Sequence, residues 1–178
     1  MGVLILQLEP QRALLVFHLA GQLAALPLEN VERVAPMAQL AHPPGLPSLL
    51  EGILNLAGKA APVLRLDRLL QLPEQPLGLY SMLILLKGVA KCPIAILVDR
   101  ISEILLVSES ALLPAGEENS FNACAEAVVP VRGQVVHLLS PTRILLEKER
   151  DALAGFQAMA QRRIDAWEPK ADWEPVAL

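Results

Sequence analysis

The chain has 178 residues, of which 53% are apolar and only 3% aromatic, and its net charge is −4. This length is enough for one ordinary domain or for two small ones that share a core. An acidic chain without clustered basic residues lacks a phosphate-binding face, which excludes nucleic acid as a partner, while the apolar surplus indicates that another protein covers part of the surface.

Direct membrane insertion is not expected either. The most apolar charge-free run, residues 77–86, is about half as long as a helix that crosses a bilayer. The start of the chain has no basic region followed by a cleavage site, and Leu6 stands where a myristoylation pattern needs Ser or Thr. We therefore expect a cytoplasmic protein, in which Cys92 and Cys124 are buried free thiols because they form no CxxC motif.

The first half opens with a predicted hairpin of two strands at residues 13–19 and 22–26, joined by an Ala-Gly turn. Residues 28–34 are either one helical turn or a further strand, because their apolar residues follow helical spacing but two of them are β-branched. Residues 35–51 contain four prolines and are predicted to be a loop.

A second predicted hairpin has strands at residues 52–56 and 59–64 around a tight turn at Ala57 and Gly58. A short helix at residues 67–70 follows, and Asp67 is expected to supply its N-cap oxygen. This hairpin and helix form the unit around which the rest of the chain is organised.

The unit occurs twice. A displacement of 75 positions places Gly58 on Gly133 and Arg68 on Arg143, and a displacement of 70 places Val34 on Ile104. Each half thus carries the same order of parts, as a duplicated β-unit does. Chance similarity among leucine-rich strands is the alternative.

The second half is predicted to contain strands at residues 80–86, 93–99 and 101–107 before the second copy of the unit. Ser108 is expected to cap a short helix that ends at Leu113, and residues 115–127 to form a loop. The residues of the third strand that are expected to face inward, around Glu103, are Ile101, Ile104, Leu105 and Val107. Many short strands with glycine and proline turns predict an all-β barrel or a pair of barrels.

From Thr142, a plausible N-cap, the pattern changes to that of an amphipathic helix over residues 142–167. Its apolar stripe consists of Leu145, Leu146, Leu153, Phe156, Met159, Ala160, Ile164 and Trp167. We expect this helix to pack back on the barrels, with docking onto another protein as the alternative. The sequence AWEP at 166–169 recurs as DWEP at 172–175, within the tail of residues 168–178. Trp167 and Trp173 are therefore candidates for a short recognition peptide. A functionless tail is the alternative.

No catalytic constellation is found in the sequence. His18, His42 and His137 are isolated from one another, and no pair of histidines or cysteines has metal-ligand spacing. Nucleophile-elbow and phosphate-binding motifs are absent as well. We therefore expect no enzyme activity and no cofactor.

Four ordered motifs nevertheless carry a resemblance to a known family. They are VFHLAGQLAALPLENVERV at 16–34, GxxNLxGxxxPVxxL at 52–66, VDRISEIL at 98–105 and VRGQVVHLL at 131–139. Together they resemble the CheW-like domain of chemotaxis coupling proteins over residues 13–150. The resemblance implies two intertwined five-stranded SH3-like barrels, the first mainly at 16–72 and the second mainly at 80–140, with a C-terminal helix.

The resemblance also implies a function. Members of this family are non-catalytic adaptors that link the cytoplasmic tips of methyl-accepting chemoreceptors to the regulatory domain of a histidine kinase. The protein would then be recruited to receptor arrays at the membrane. A structural or assembly module with the same barrels and no chemosensory role stays open as the alternative.

Contact positions of the family are carried over onto this sequence by the motifs. The receptor-binding residues implied are Val31, Gly52, Asn55, Leu56, Ala57, Gly58, Met82, Val98 and Asp99, and the kinase-binding residues are Glu32 and Arg33. Two positions depart from the family, which usually has Arg where Ala57 stands and Asp where Arg65 stands. Loss of the turn guanidinium removes a charge-assisted hydrogen bond worth roughly 1.5–3 kcal/mol, so we hypothesise a dedicated receptor or a surface-sensing or twitching-type pathway.

Overall fold

A computed structural model describes residues 9–87, 92–116, 121 and 123–167. In chain order, its strands and helices are β1 (Gln11–Leu19), β2 (Gln22–Pro27), β3 (Val31–Pro36), β4 (Leu50–Leu56), β5 (Lys59–Arg65), α1 (Leu66–Leu69), β6 (Met82–Leu86), β7 (Ile94–Val98), β8 (Arg100–Ser108), β9 (Leu113–Pro114), β10 (Ala125–Val131), β11 (Gln134–Leu139), α2 (Pro141–Ile144) and α3 (Glu147–Trp167). Over the described residues, none of these helices is long and apolar enough to cross a membrane.

The strands form two sheets. Sheet A has the order β8-β1-β2-β11-β10-β9, and sheet B has the order β3-β6-β7-β5-β4. Neighbouring strands are antiparallel except for one parallel pair in each sheet, β2 with β11 and β5 with β7. This is the expected all-β fold of two intertwined SH3-like barrels with a C-terminal helix, with the two-residue strand β9 added to one of them.

The predicted duplication is confirmed. A shift of 75 residues places β4 on β10, β5 on β11 and α1 on α2. Both hairpin turns have two residues in the left-handed region, with φ of 49° and 88° at Ala57 and Gly58 and of 49° and 80° at Arg132 and Gly133. Such two-residue turns match the twist of the strands that they join.

The two copies exchange strands. Sheet A combines β1 and β2 from the first half with β8 to β11 from the second, whereas sheet B combines β3, β4 and β5 with β6 and β7. Residues 16–72, expected to form most of the first barrel, supply three of the five strands of sheet B, and residues 80–140, expected to form most of the second, supply four of the six strands of sheet A. The chain changes sheets through the short turn Leu28–Asn30 and again at Asp99, which alone separates β7 from β8.

Some local predictions need correction. In β8 the exposed side chains alternate from Arg100 onward, so Ile104, expected to face inward, is 58% exposed. The sequence allowed either a helical turn or a strand at residues 28–34. The structure contains both, because a 3-10 turn at Leu28–Asn30 leads directly into β3. Ser108 precedes only a three-residue 3-10 turn and makes no capping hydrogen bond with its side chain.

Both predicted helix caps are wrong. The N-cap of α1 is Arg65, not Asp67, and no side chain caps that helix. At the C-terminus, α2 begins at Pro141 after the N-cap Ser140, and the chain breaks at Leu145 before α3, so the expected single helix from Thr142 is two helices. Proline suits the first position of a helix because its missing N–H has no partner there.

Buried side chains form a shared seam and one interior for each sheet. The seam, the largest cluster, includes Phe17, Leu19 and Leu26 from sheet A with Leu64, Ile84 and Ile96 from sheet B. The interior of sheet A includes Leu14, Val16, Val129 and Leu138, and that of sheet B includes Leu40, Leu54, Val63 and Leu85. The seam joins two sheets that each contain both halves of the chain.

Gly58→Val is expected to lower the free energy of unfolding by roughly 1–3 kcal/mol, because a β-branched residue is strained at a φ of 88°. Gly78→Val is the matched control, since a Cβ at Gly78 would meet no atom within 4 Å. Urea denaturation compares the two variants. Equal stability of Gly58→Val and the parent protein would show that the turn does not need its left-handed conformation.

Candidate partner-binding site

The turn of the β4–β5 hairpin brings together four of the residues expected to bind a receptor. Asn55 accepts a hydrogen bond from the Gly58 N–H through its side-chain oxygen, at 2.8 Å. The side chain of Ala57 is exposed at the tip, and Leu56 is half-buried beside it. The amide of Asn55 thus fixes a turn whose tip presents Ala57 to solvent.

Helix α3 packs on the outer face of this hairpin. The side chain of Gln161 accepts a hydrogen bond from the Ala60 N–H at 2.8 Å and donates one to the Gly58 carbonyl oxygen at 2.6 Å. Gln157 donates to the Ala60 carbonyl oxygen at 3.3 Å, and Ala160 packs against Ile53 and Ala60. The expectation that the C-terminal helix packs back on the barrels is confirmed.

These glutamines occupy a strand edge that β7 leaves unpaired. The parallel pairing of β5 with β7 covers Val63, Leu64 and Arg65. The N–H and C=O groups of Ala60 point to the same edge as that pairing, and a buried unpaired backbone group costs about 1–3 kcal/mol. The sequence pattern placed Gln157 and Gln161 off the apolar stripe of the helix, so their role was missed.

A groove of about 350 Å³ lies between α3, the outer edge of β4 and the loop at residues 41–44. Its apolar lining consists of Ala41, Pro43, Pro44, Ile53, Met159, Ala160 and Ile164. His42, Asn55 and Arg163 complete the wall as its polar and charged members. The groove therefore joins the expected receptor-binding turn to the C-terminal helix.

The remaining expected receptor contacts do not share this surface. Val31 pairs with Leu86 near the hairpin end of sheet B, whereas Met82 pairs with Val98 at the other end. Leu86 and Met82 are four residues apart along β6, which corresponds to about 13 Å between the two pairs. The expected set is thus divided between the two ends of the sheet.

Two of the expected contacts are buried. Val98 is 1% exposed within the seam. Gly52 lies so close to the loop that a Cβ there would be 2.7 Å from the Cβ of Leu40. Both positions serve packing in this structure, and direct partner contact at them stays a prediction.

Asp99 acts within the fold at the point where the chain changes sheets. Its carboxylate accepts a hydrogen bond from the Ala20 N–H at 2.7 Å, and its own N–H donates to the His18 carbonyl oxygen at 3.1 Å. Asp99 therefore ties the crossover to the β1–β2 turn. Beside it, burial and the neighbouring Arg100 lower the pKa of His18, whose Nε2 lies 3.1 Å from the Arg100 guanidinium.

Arg65 is the centre of a buried ionic cluster. Its side chain binds both oxygens of Asp67, at 2.9 and 2.5 Å, and one oxygen of Glu51, at 3.2 Å. It also donates to the Gln75 carbonyl oxygen at 2.9 Å, which anchors the loop that exposes Leu79. The guanidinium of Arg65, the residue that departs from the family pattern, is thus bound within the fold, so the role of Arg65 is structural.

The pKa of Asp67 reflects opposing effects. Burial raises it, but the hydrogen bond from Arg65 and those from the backbone N–H groups of Gln75 and Arg68 outweigh burial, and the pKa is lowered. The pKa of Arg65 is raised, chiefly by its hydrogen bond with Asp67. Both groups are therefore charged at neutral pH.

Strand β3 forms one edge of sheet B and exposes both expected kinase contacts, Glu32 and Arg33. Strand β8 forms the corresponding edge of sheet A and exposes Ile104 and Leu106, at 58% and 64%. Each sheet thus ends in a strand with accessible side chains. The apolar exposure on β8 was not expected from the sequence.

Among the described residues, no group of three or more His, Cys, Asp and Glu side chains could hold a metal ion. His137 is buried edge-on against the ring of Phe121, at 4.3 Å between ring centroids. Cys92 and Cys124 are both thiols, and burial raises the pKa of Cys92, which is half-buried, and of Cys124, which is buried. Raised thiol pKa values leave these cysteines protonated and poor nucleophiles.

The fold and the surfaces define a class: a β-protein of two strand-exchanged barrels with accessible edge strands. The CheW-like domain family matches residues 13–149, and the chain belongs to that family. The chain is 24% identical over 133 residues to the chemotaxis protein CheW of Thermotoga maritima, covering 75% of this chain and 87% of that protein. It is 20% identical over 154 residues to the chemotaxis protein CheW of Bacillus subtilis, covering 85% and 98%.

A solved structure gives the same result for the fold. The crystal structure of the scaffolding protein CheW from Thermoanaerobacter tengcongensis has a TM-score of 0.71 to this chain at 19% sequence identity. The similarity covers 84% of this chain and 97% of that one. Helix α3 lies almost entirely beyond the residues that match the family.

Proposed function

We propose that this protein is a non-catalytic, cytoplasmic adaptor that couples the tips of chemoreceptors to the regulatory domain of a chemotaxis-type histidine kinase. The observation that carries the proposal is the family match over residues 13–149, which spans both strand-exchanged sheets. An adaptor has to hold two partners at once, and this fold offers separate surfaces for them.

The kinase-binding surface in this proposal is the edge of sheet B at β3. An edge strand has unpaired backbone groups that a strand of a partner barrel can pair with. Glu32 and Arg33 are exposed there and carry opposite charges, which favours a partner edge with the complementary order. Charges at the rim of an interface act mainly on the association rate and on partner choice.

The receptor-binding surface in this proposal is the hairpin turn of Asn55, Leu56, Ala57 and Gly58, with Val31 at the same end of the sheet. Met82 and Asp99, at the far end, are secondary candidates. The exposed Ala57 offers no charge, and α3 covers the adjoining face of the hairpin. A turn altered in this way supports a dedicated receptor, in a surface-sensing or twitching-type pathway.

Charge reversal tests the kinase surface. Glu32→Lys together with Arg33→Glu is expected to weaken binding of the purified kinase regulatory domain about tenfold, the loss produced by roughly 1.4 kcal/mol. Glu109→Lys is the control, because Glu109 is exposed and directly follows β8 of sheet A, away from the β3 edge of sheet B. Binding is measured by surface plasmon resonance at two salt concentrations.

The outcomes separate the surface from the function. Loss of affinity in the double variant alone, smaller at high salt, supports the β3 edge. Equal affinity of the parent protein, the double variant and Glu109→Lys would show that the kinase domain binds a surface other than the β3 edge. No retention of the kinase domain by the folded parent protein contradicts the coupling function itself.

A further inference from the structure

We propose that the groove between α3 and the edge of β4 is a peptide-binding site and that its occupant is this chain's own C-terminal segment, residues 168–178. The segment would bind as an extended strand beside Asn55, with the Trp173 indole on the apolar floor and a flanking carboxylate on Arg163. The proposal concerns a contact within the chain and stands apart from the coupling function.

A strand edge with available backbone groups lies inside the groove. Ile53 exchanges two backbone hydrogen bonds with Ala41, both at 2.9 Å, so its N–H and C=O point away from β5. Backbone groups in an antiparallel strand alternate in direction, so those of Asn55, two residues on, point the same way. The bridge between Ala41 and Ile53 is a single isolated pair, and an extended peptide can continue it alongside Asn55.

The lining of the groove favours an aromatic occupant. The floor of Ile53, Met159, Ala160 and Ile164 suits an indole, and Met159 is 40% exposed although it belongs to the apolar stripe of α3. An aromatic anchor in such a groove can dominate the energy of a small interface. The segment at 168–178 contains one aromatic residue, Trp173.

The charges of the groove and of the segment are complementary. Arg163 lines the groove and makes no ion pair with any other residue that the structure describes, and none of the groove's described lining residues is acidic. The segment carries Glu168, Asp172 and Glu174 against a single lysine. Asp172 and Glu174 flank the indole, so either carboxylate can meet Arg163 when Trp173 is on the floor.

The segment is long enough to reach the groove. The groove is lined by α3 at residues 159–164, and α3 ends at Trp167. Seven helical residues separate Trp167 from Ala160, a distance of about 10 Å. The five residues from 168 to 172 can span up to about 17 Å when extended. The five residues therefore cover the distance back along the helix to Ala160.

The test uses the full chain with Trp167→Phe, which leaves Trp173 as the single indole because the sequence has two tryptophans. The emission of Trp173 and its quenching by acrylamide are compared with those of a free peptide of residues 168–178. Docking predicts blue-shifted emission and weaker quenching than in the peptide, both independent of protein concentration. Circular dichroism confirms that each variant is folded.

Arg163→Glu is the diagnostic variant, and Arg162→Glu is its matched control, because Arg162 is an exposed neighbour that does not line the groove. Arg163→Glu should lower the ratio of docked to free segment about two- to fivefold, the contribution of a solvent-exposed ion pair. Arg162→Glu should leave that ratio unchanged.

Three results would overturn the proposal. If acrylamide quenches Trp173 as strongly in the full chain as in the free peptide, the segment does not occupy the groove. Equal effects of the two arginine variants show that Arg163 is not the partner. Shielding that disappears on dilution assigns the groove to the segment of a second copy. None of these readouts involves a receptor or a kinase, so each outcome is independent of the coupling function.

Discussion

Replacing Arg65 by alanine is expected to lower the free energy of unfolding by about 3–5 kcal/mol, the usual cost of removing one partner of a buried ion pair. Arg65 is 4% exposed and binds Asp67, Glu51 and the Gln75 carbonyl oxygen. Without the guanidinium, the buried carboxylate of Asp67 remains uncompensated and the loop at Gln75 loses its anchor. Urea denaturation at neutral pH measures the loss.

Arg68→Ala is the matched control. Arg68 binds Glu74 at 2.5 Å, but both side chains are partly exposed, at 31% and 56%. Water and salt screen an ion pair this exposed, so Arg68→Ala should lower the free energy of unfolding far less than Arg65→Ala does. Equal losses in the two variants would show that burial does not strengthen the Arg65 cluster.

The pH dependence gives an independent check on the same variant. Because the folded protein lowers the pKa of Asp67, the unfolded chain binds that proton more tightly, and the stabilisation is present above the ordinary aspartate pKa of about 3.9. It is lost as the pH falls through the lower, folded-state pKa. The stability difference between the parent protein and Arg65→Ala should therefore be constant near neutrality and shrink in acid.

The duplicated unit could be predicted from the sequence because its markers are local. Gly58 and Gly133 stand where each turn needs a left-handed residue, and a displacement of 75 aligns strands and helices alike. The exchange of strands between halves could not be predicted from those markers. Asp99 alone redirects the chain from sheet B to sheet A, and hydrophobic periodicity does not say which sheet a strand joins.

The candidate site was predicted only in part. The motif around Asn55 and Gly58 identified a real turn, but a motif cannot say which of its members are buried, and Val98 proved to be in the seam. Arg65 was identified as unusual without its partners, although Asp67 two residues later was visible in the sequence. The glutamines of α3 escaped because hydrophobic patterning ignores polar residues that bind backbone groups.

Phe17→Ala is expected to lower the free energy of unfolding by about 3–5 kcal/mol, the usual cost of a cavity left by a buried phenylalanine. Phe17 is fully buried in the seam, where residues of both sheets pack together. Since each sheet contains strands from both halves of the chain, neither can keep its packing after the other unfolds. The variant should therefore unfold in one transition at lower denaturant, with the same loss of protection for amides in β1 and in β7.

Leu14→Ala provides the matched comparison, because Leu14 is equally buried but belongs to the interior of sheet A alone. A buried leucine truncated to alanine costs about 2–5 kcal/mol. If strand exchange makes the two sheets one cooperative unit, hydrogen exchange of the slowest amides in β7 of sheet B should accelerate as much as that of the slowest amides in β1. Two transitions in calorimetry would contradict this coupling, as would sheet B amides whose hydrogen exchange is unchanged by Leu14→Ala. Either result would show that the two barrels fold separately.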